Sequence, residues 1–343
     1  MEILKYYGYK FIMVLMVFSR VVDSVLELIG NTPMIRLNRI GKNLKSKILA
    51  KCEFLNPSGS YKDRIALKMI DEEEKRGGIS PSKTVILESS SGNTAIALAM
   101  VGAVKGYKVK IYYPEPAWTP EKVKILQRFG AEIITISLEE TEIQRKYGLH
   151  GARIEIPGRV KCSELEQIDP EHYWWAKQFS NPNNWRAHTD LGREILEQTN
   201  GEVDVFVASI GTGGCLYGVA KVLKEANPNC RVIAVQPGGW KGWIDPLSPD
   251  TKYIPGITGG IIEMIRNEGI FDDKVMVSTE EAREMAYRLS REEGLFVGIS
   301  SGANVLVALR EAIRLDKEGR NGNVVTVLVD RGDRYFTDET YIT

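Results

Sequence analysis

The chain has 343 residues, with 45 Lys+Arg against 45 Asp+Glu and a formal net charge of zero. At about 150 residues per domain the length suggests two domains, with room for a large core that needs no covalent staples. The charge balance argues against work by non-specific attraction to nucleic acid or anionic membrane, while leaving room for a local basic pocket.

A hydrophobic fraction of 43% and a charged fraction of 26% are ordinary for a soluble globular protein. Cys52, Cys162, Cys215 and Cys230 are scattered without a C-x-x-C, and so are His150, His172 and His188. That disfavours both a disulfide framework and a Cys/His metal site, and makes a reducing cytoplasm the simplest location.

The apolar run Phe11 to Phe18 (FIMVLMVF) is flanked by Lys10 and Arg20. A membrane span needs about 20 such residues. The run has the length of a signal-peptide core, yet no small-x-small cleavage site follows it. Residues 1–29 are therefore expected as an N-terminal arm, with a signal or anchor as the alternative.

Beyond the arm, β-rich runs alternate with helical patterns. The expected strands are Lys47 to Glu53, Thr84 to Glu88, Lys108 to Tyr113, Glu132 to Ile136, Val203 to Ser209, Arg231 to Gln236 and Val324 to Val329. The expected helices in the first half are Ile65 to Arg76, Thr94 to Lys105 and Pro120 to Phe129. In the second half they are Gly192 to Thr199, Leu216 to Ala226, Thr279 to Glu293 and Asn304 to Leu315. This alternation predicts an α/β fold with parallel sheets and right-handed crossovers. Continuous apolar strands fit sheets covered on both faces. Two such arrays imply two α/β domains with a cleft between them.

Ligands in open α/β sheets sit at the carboxyl ends of strands, so the loops after the strands matter most. Asn56-Pro57-Ser58-Gly59-Ser60-Tyr61-Lys62-Asp63-Arg64 places a lysine in the first turn of a helix, with Ser58 or Ser60 available as a cap. The positive helix end there would depress the amine's pKa and favour a nucleophile. Ser89-Ser90-Ser91-Gly92-Asn93-Thr94 puts hydroxyls and backbone N–H groups at a helix start, a site for a carboxylate or phosphate. Ser209-Ile210-Gly211-Thr212-Gly213-Gly214-Cys215 is an anion cradle. It fails the G-x-G-x-x-G dinucleotide pattern because Leu216 stands where the third glycine belongs. Gly298-Ile299-Ser300-Ser301-Gly302-Ala303 opens a further helix. Taken singly, each loop also reads as a plain capped helix start.

Taken together and in order, with Ile29-Gly30-Asn31-Thr32-Pro33, Gln178-Phe179-Ser180-Asn181-Pro182 and Asp330-Arg331-Gly332-Asp333-Arg334-Tyr335, these motifs carry a resemblance. The chain resembles the cysteine synthase and cystathionine β-synthase group of fold-type II pyridoxal-phosphate enzymes, relatives of tryptophan synthase β. The likeness runs from Val25 to Tyr335.

The resemblance implies two three-layer α/β domains. A smaller mobile domain would span 54–165, and a larger phosphate-binding domain 30–53 plus 166–343. Lys62 would form the Schiff base with pyridoxal 5'-phosphate and move the substrate proton. Gly211, Thr212, Gly213, Gly214 and Cys215 would hold the phosphate, Asn93 the ring hydroxyl and Ser300 the pyridine nitrogen. Ser90, Ser91, Gly92, Thr94 and Gln178 would bind the substrate α-carboxylate. No metal is expected.

The implied reaction is β-replacement through an aminoacrylate, forming L-cysteine from O-acetylserine or O-phosphoserine and sulfide. The alternatives are condensation of serine or its ester with homocysteine, and cysteine β-elimination releasing sulfide. A homodimer is implied, with small-molecule partners and neither nucleic acid nor membrane.

The departures lie around the substrate mouth. Cys215 stands where the family has Thr. Pro114 to Lys122 (PEPAWTPEK) replaces the usual P-E-T-M-S-x-E-R, and the chain between Ala131 and Gln178 is longer than usual. Gln236-Pro237 replaces E-P, ahead of Gly238 to Trp243. Lys241 is a candidate cation for a phosphorylated donor.

Overall fold

The structure is a computed structural model, and it describes residues 21–137, 154–238, 254, 256–257, 269–338 and 341. The apolar run 11–18 and Lys241 lie outside the described residues. In chain order the strands are β1 (Met34–Arg36), β2 (Lys47–Cys52), β3 (Val85–Ser89), β4 (Lys108–Pro114), β5 (Glu132–Ile136), β6 (Tyr173–Trp175), β7 (Val205–Ser209), β8 (Arg231–Pro237), β9 (Asp273–Val277) and β10 (Asn323–Leu328). The helices are α1 (Lys62–Lys75), α2 (Asn93–Lys105), α3 (Pro120–Arg128), α4 (Ile156–Ile168), α5 (Asn183–Gln198), α6 (Gly214–Ala226), α7 (Thr279–Arg288) and α8 (Ile299–Lys317).

Two sheets result, six-stranded β1-β2-β10-β7-β8-β9 and four-stranded β5-β4-β3-β6. β1 runs antiparallel to β2, while the other strand pairings among the described residues are parallel. Strand alternation splits the large sheet's residues cleanly. Val205, Val207, Ile233 and Val235 pack with Met285, Ala303 and Leu315 from α7 and α8. Phe206, Ala208, Val232 and Ala234 point the other way, against Leu191, Ile195, Leu216 and Val219 from α5 and α6. Both faces are thus covered, which is why these strands read as unbroken apolar runs.

The smaller sheet buries Ile86, Val109 and Ile111 against α1 and α2. On its opposite face Val85, Leu87 and Tyr112 meet Cys162 of α4. Helix α2 is apolar on nearly every side because it lies enclosed, and it stops at Gly106 in the left-handed region, φ +82°.

Several elements differ from the sequence expectations. β1, β6 and β9 were not anticipated, being three to five residues long and set at sheet edges. Helix α4 was also missed. Pro157 and Gly158 make its first turn look like a loop, although proline suits a helix start. Gly158 is there for close approach, since a Cβ would press on Ser89 and Tyr112.

Because β6 pairs with β3, the expected boundary at 165 falls too early and cuts α4. Helices α5 and α8 begin earlier than expected, at Asn183 and Ile299. The expected Thr279 to Glu293 helix is α7 followed by a π-helical turn, Leu289–Glu293, stopped by Gly294. All four cysteines are buried free thiols.

Candidate active site

The loop that presents Lys62 is tied down by charge. After β2, Asn56 Nδ2 donates to the Glu53 carbonyl at 2.8 Å and to Glu53 Oε2 at 2.9 Å. Its Oδ1 accepts from Gly30 N–H at 2.9 Å, joining the 29–33 motif to the lysine loop. Arg64 Nε reaches Glu53 Oε2 at 2.7 Å and Nη1 reaches Glu194 Oε1 at 2.7 Å. Lys51 meets Glu194 at 2.7 Å.

From the other side, Arg334 Nη2 donates to the Ser58 carbonyl at 2.7 Å and Tyr61 N–H to the Val329 carbonyl at 3.1 Å. The 330–335 motif is therefore a clasp on the lysine loop. Lys62 is the first residue of α1, and its N–H donates to Ser60 Oγ at 3.3 Å. Its side chain is buried, with Nζ 4.6 Å from the Tyr61 ring centre. Burial lowers the amine to about 8, against the opposing pull of Cys215 and Glu155. The sequence reading credited the helix end; burial is the larger cause.

The second loop is held by single hydrogen bonds, some neutral and some to charged groups, with no ion pair of its own among the described residues. Thr94 Oγ1 donates to Gln178 Oε1 at 2.7 Å, and Gly92 N–H to Ser90 Oγ at 3.3 Å. Tyr113 OH donates to the Ser91 carbonyl at 3.0 Å, and Ser91 N–H to Glu155 Oε1 at 3.3 Å. Asn93 donates to Asp330 Oδ2 at 2.6 Å and accepts from Arg334. Behind the loop, Glu88 accepts from Trp175 Nε1 at 3.0 Å and Gln178 N–H at 3.0 Å. Burial still pushes its carboxyl up to about 7.

The third loop joins β7 to α6. Gly213 caps α6 at φ +91°, a conformation costly for other residues. A Cβ at Gly211 would lie 2.7 Å from the Gly256 carbonyl oxygen. Thr212 Oγ1 accepts from Asn184 Nδ2 at 3.0 Å and from Gly214 N–H at 3.3 Å. The glycine loop leads into the first turn of a 13-residue helix, whose N-terminus favours an anion.

One cleft gathers these parts. Its walls include Lys62, Ser90, Ser91, Gly92, Asn93 and Thr94. Gln178, Gly211 and Thr212 complete the expected residues it brings together. Gly213, Gly214, Cys215 and Ser300 are not on its wall. Cys215 is a buried thiol pushed up to about 12 by burial, and Ser300 is buried at the start of α8 behind Gly256, which does line the cleft. Tyr61, Lys122, Glu155, Phe179 and Tyr335 also line it; none was assigned a role from sequence, although all but Glu155 lie in stretches singled out there. Lys122 and Glu155 had one usable signal, a charged residue beside a proline-marked helix start.

The family described as "Pyridoxal-phosphate dependent enzyme" matches residues 25–330. The chain belongs to this family. A cysteine synthase of Staphylococcus aureus is 36% identical over 323 residues, covering 93% of this chain and 97% of that protein. Among solved structures, O-acetyl serine sulfhydrylase isoform 3 from Entamoeba histolytica is similar at TM-score 0.82 and 32% identity, covering 95% of this chain and 93% of that one. An O-acetylserine dependent cystathionine beta-synthase from Helicobacter pylori is similar at TM-score 0.81 and 33% identity, covering 94% and 100%.

The family's members depend on pyridoxal phosphate, and the residues present fit that group. A buried amine held near 8 suits an aldehyde. The glycine loop at the α6 N-terminus suits a phosphate. The two lie in one cleft.

Proposed function

We propose that this protein forms L-cysteine by β-replacement, from O-acetylserine or O-phosphoserine and sulfide. The observation that carries the reading is one cleft combining Lys62, the hydroxyl-rich 90–94 loop and the 211–212 glycine turn. The 36% identity to a cysteine synthase supports it. Pyridoxal phosphate, when bound, supplies an electron sink for charge at the substrate Cα.

Lys62 holds the cofactor and later takes and returns the Cα proton, work suited to an amine near 8. Gly211 to Gly214, with the Cys215 backbone, hold the phosphate. Asn93 meets the ring hydroxyl, and Ser300 the ring nitrogen. Ser90, Ser91, Gly92, Thr94 and Gln178 bind the α-carboxylate. The smaller domain, beginning near residue 54 and taken through β6, closes over the bound amino acid and excludes water. A cytoplasmic homodimer completes the reading. Among the described residues no helix is long and apolar enough to cross a membrane.

A second reading, condensation with homocysteine, is favoured by the likeness to the Helicobacter pylori enzyme. A matrix of O-acetylserine, O-phosphoserine, serine and cysteine against sulfide and homocysteine separates the two. The expected outcome is the highest kcat/KM with an ester and sulfide. A decisive preference for homocysteine overturns it.

A further inference from the structure

Three charged side chains line the cleft among the described residues: Lys62, Glu155 and Lys122. Lys62 has its task. Glu155 is paired with Arg159 at 3.2 Å and accepts from Ser91 N–H at 3.3 Å. Lys122 is different. It stands in the first turn of α3, its side chain only 7% exposed, with Nζ 4.5 Å from the Tyr335 ring centre. No hydrogen bond or ion pair among the described residues engages its amine.

The nearby charges are Asp330, Asp338, Arg334 and Glu121, none in ion-pair contact with it. Asp330 Oδ2 accepts from Asn93 and from Tyr335 OH, while its buried Oδ1 has no hydrogen-bond partner among the described residues and is not within ion-pair distance of the amine. A buried ammonium without a counter-ion in direct contact is costly, and burial lowers it to about 8 against the pull of Asp330 and Asp338. An anion arriving in the cleft would relieve that cost.

Resting on the functional reading above, we propose that Lys122 is a specificity-determining residue that receives the oxyanion leaving group of the activated serine. In this step the Cα–H proton passes to Lys62 and a Cα–Cβ double bond forms. The Cβ–O bond breaks, and its electron pair leaves on the departing oxygen, where the Lys122 ammonium meets it. Acetate and phosphate share this chemistry. Lys122 thereby takes the place considered for Lys241, and it is already inside the cleft.

The test uses holoenzyme, wild type, Lys122→Met and Lys122→Arg. Cofactor absorbance after mixing with O-acetylserine or O-phosphoserine alone gives the first half-reaction. Addition of sulfide then gives the second. Calorimetry with sodium acetate and with inorganic phosphate reads anion binding separately, and the anion bound by wild type identifies the donor.

A charge-assisted contact predicts that Lys122→Met slows the first half-reaction about 10- to 100-fold and weakens anion binding to a similar degree. The second half-reaction should be unchanged, and Lys122→Arg should recover most of the loss. Unchanged anion binding in Lys122→Met overturns the proposal. So does an equal slowing of both half-reactions in both variants, the mark of a packing role. If wild type makes no cysteine from either ester, the functional reading fails, while the calorimetry still decides whether Lys122 holds an anion.

Discussion

Two loops line the cleft, and they are fastened differently. The lysine loop is bound by buried charges: Arg64 bridges Glu53 and Glu194, and Lys51 adds a second contact to Glu194. The 90–94 loop has no ion pair of its own among the described residues: Thr94 to Gln178 and Tyr113 to the Ser91 carbonyl are neutral bonds, and Ser91 and Asn93 add single bonds to Glu155, Asp330 and Arg334. Buried charge pairs tolerate almost no displacement, because a separated partner is left desolvated and unpaired. Neutral hydrogen bonds exchange partners at little cost. The contrast suits the proposed chemistry. The amine must stay where it is, while the 90–94 loop must release its internal bonds to accept a carboxylate.

Removing one charge should break the rigid side hardest. Arg64→Leu leaves buried Glu53 without its ion-pair partner and Glu194 with Lys51 alone, and should lose about 3–5 kcal/mol of stability, read from the urea midpoint. A loss below 1 kcal/mol would mean that the network is ornamental. Backbone strain comes next. Gly213→Ala imposes a Cβ at φ +91°, costing about 1–3 kcal/mol. It should also weaken pyridoxal phosphate affinity more than it weakens amino-acid affinity, as separate titrations would show. The smallest effect is expected in the 90–94 loop. Thr94→Val removes one hydrogen bond and should raise the donor KM about 2- to 10-fold with the melting temperature nearly unchanged. A collapse in stability there would erase the contrast.

The α/β alternation and the glycine and serine loops were legible because each rests on local physics. Apolar strands need two covered faces, and helix starts need glycines and hydroxyls. The 56–64 and 330–335 motifs were legible as motifs, but their mutual clasp was not. The Arg334 bond to the Ser58 carbonyl joins residues 276 positions apart. Glu53, Glu194 and Lys51 looked like ordinary strand and helix charges, and the packing of α1 against α5 and the large sheet buries Glu53 and Lys51 and half-buries Glu194. Helix α4 hid behind Pro157 and Gly158, and with it Glu155. Lys122 stood in the sequence only as the end of the atypical 114–122 stretch, and its place beside the Tyr335 ring depends on packing across more than 200 residues.

Lys62, and not the other buried cleft amine, is expected to carry the cofactor. Both Lys62 and Lys122 are held near 8 by burial, so their titration does not separate them. Borohydride reduction of the holoenzyme followed by peptide mass mapping does. The expected result is a pyridoxyl group on Lys62 alone, together with a roughly 10²- to 10⁴-fold loss of turnover in Lys62→Ala. A pyridoxyl group on Lys122, or full turnover by Lys62→Ala, would contradict it.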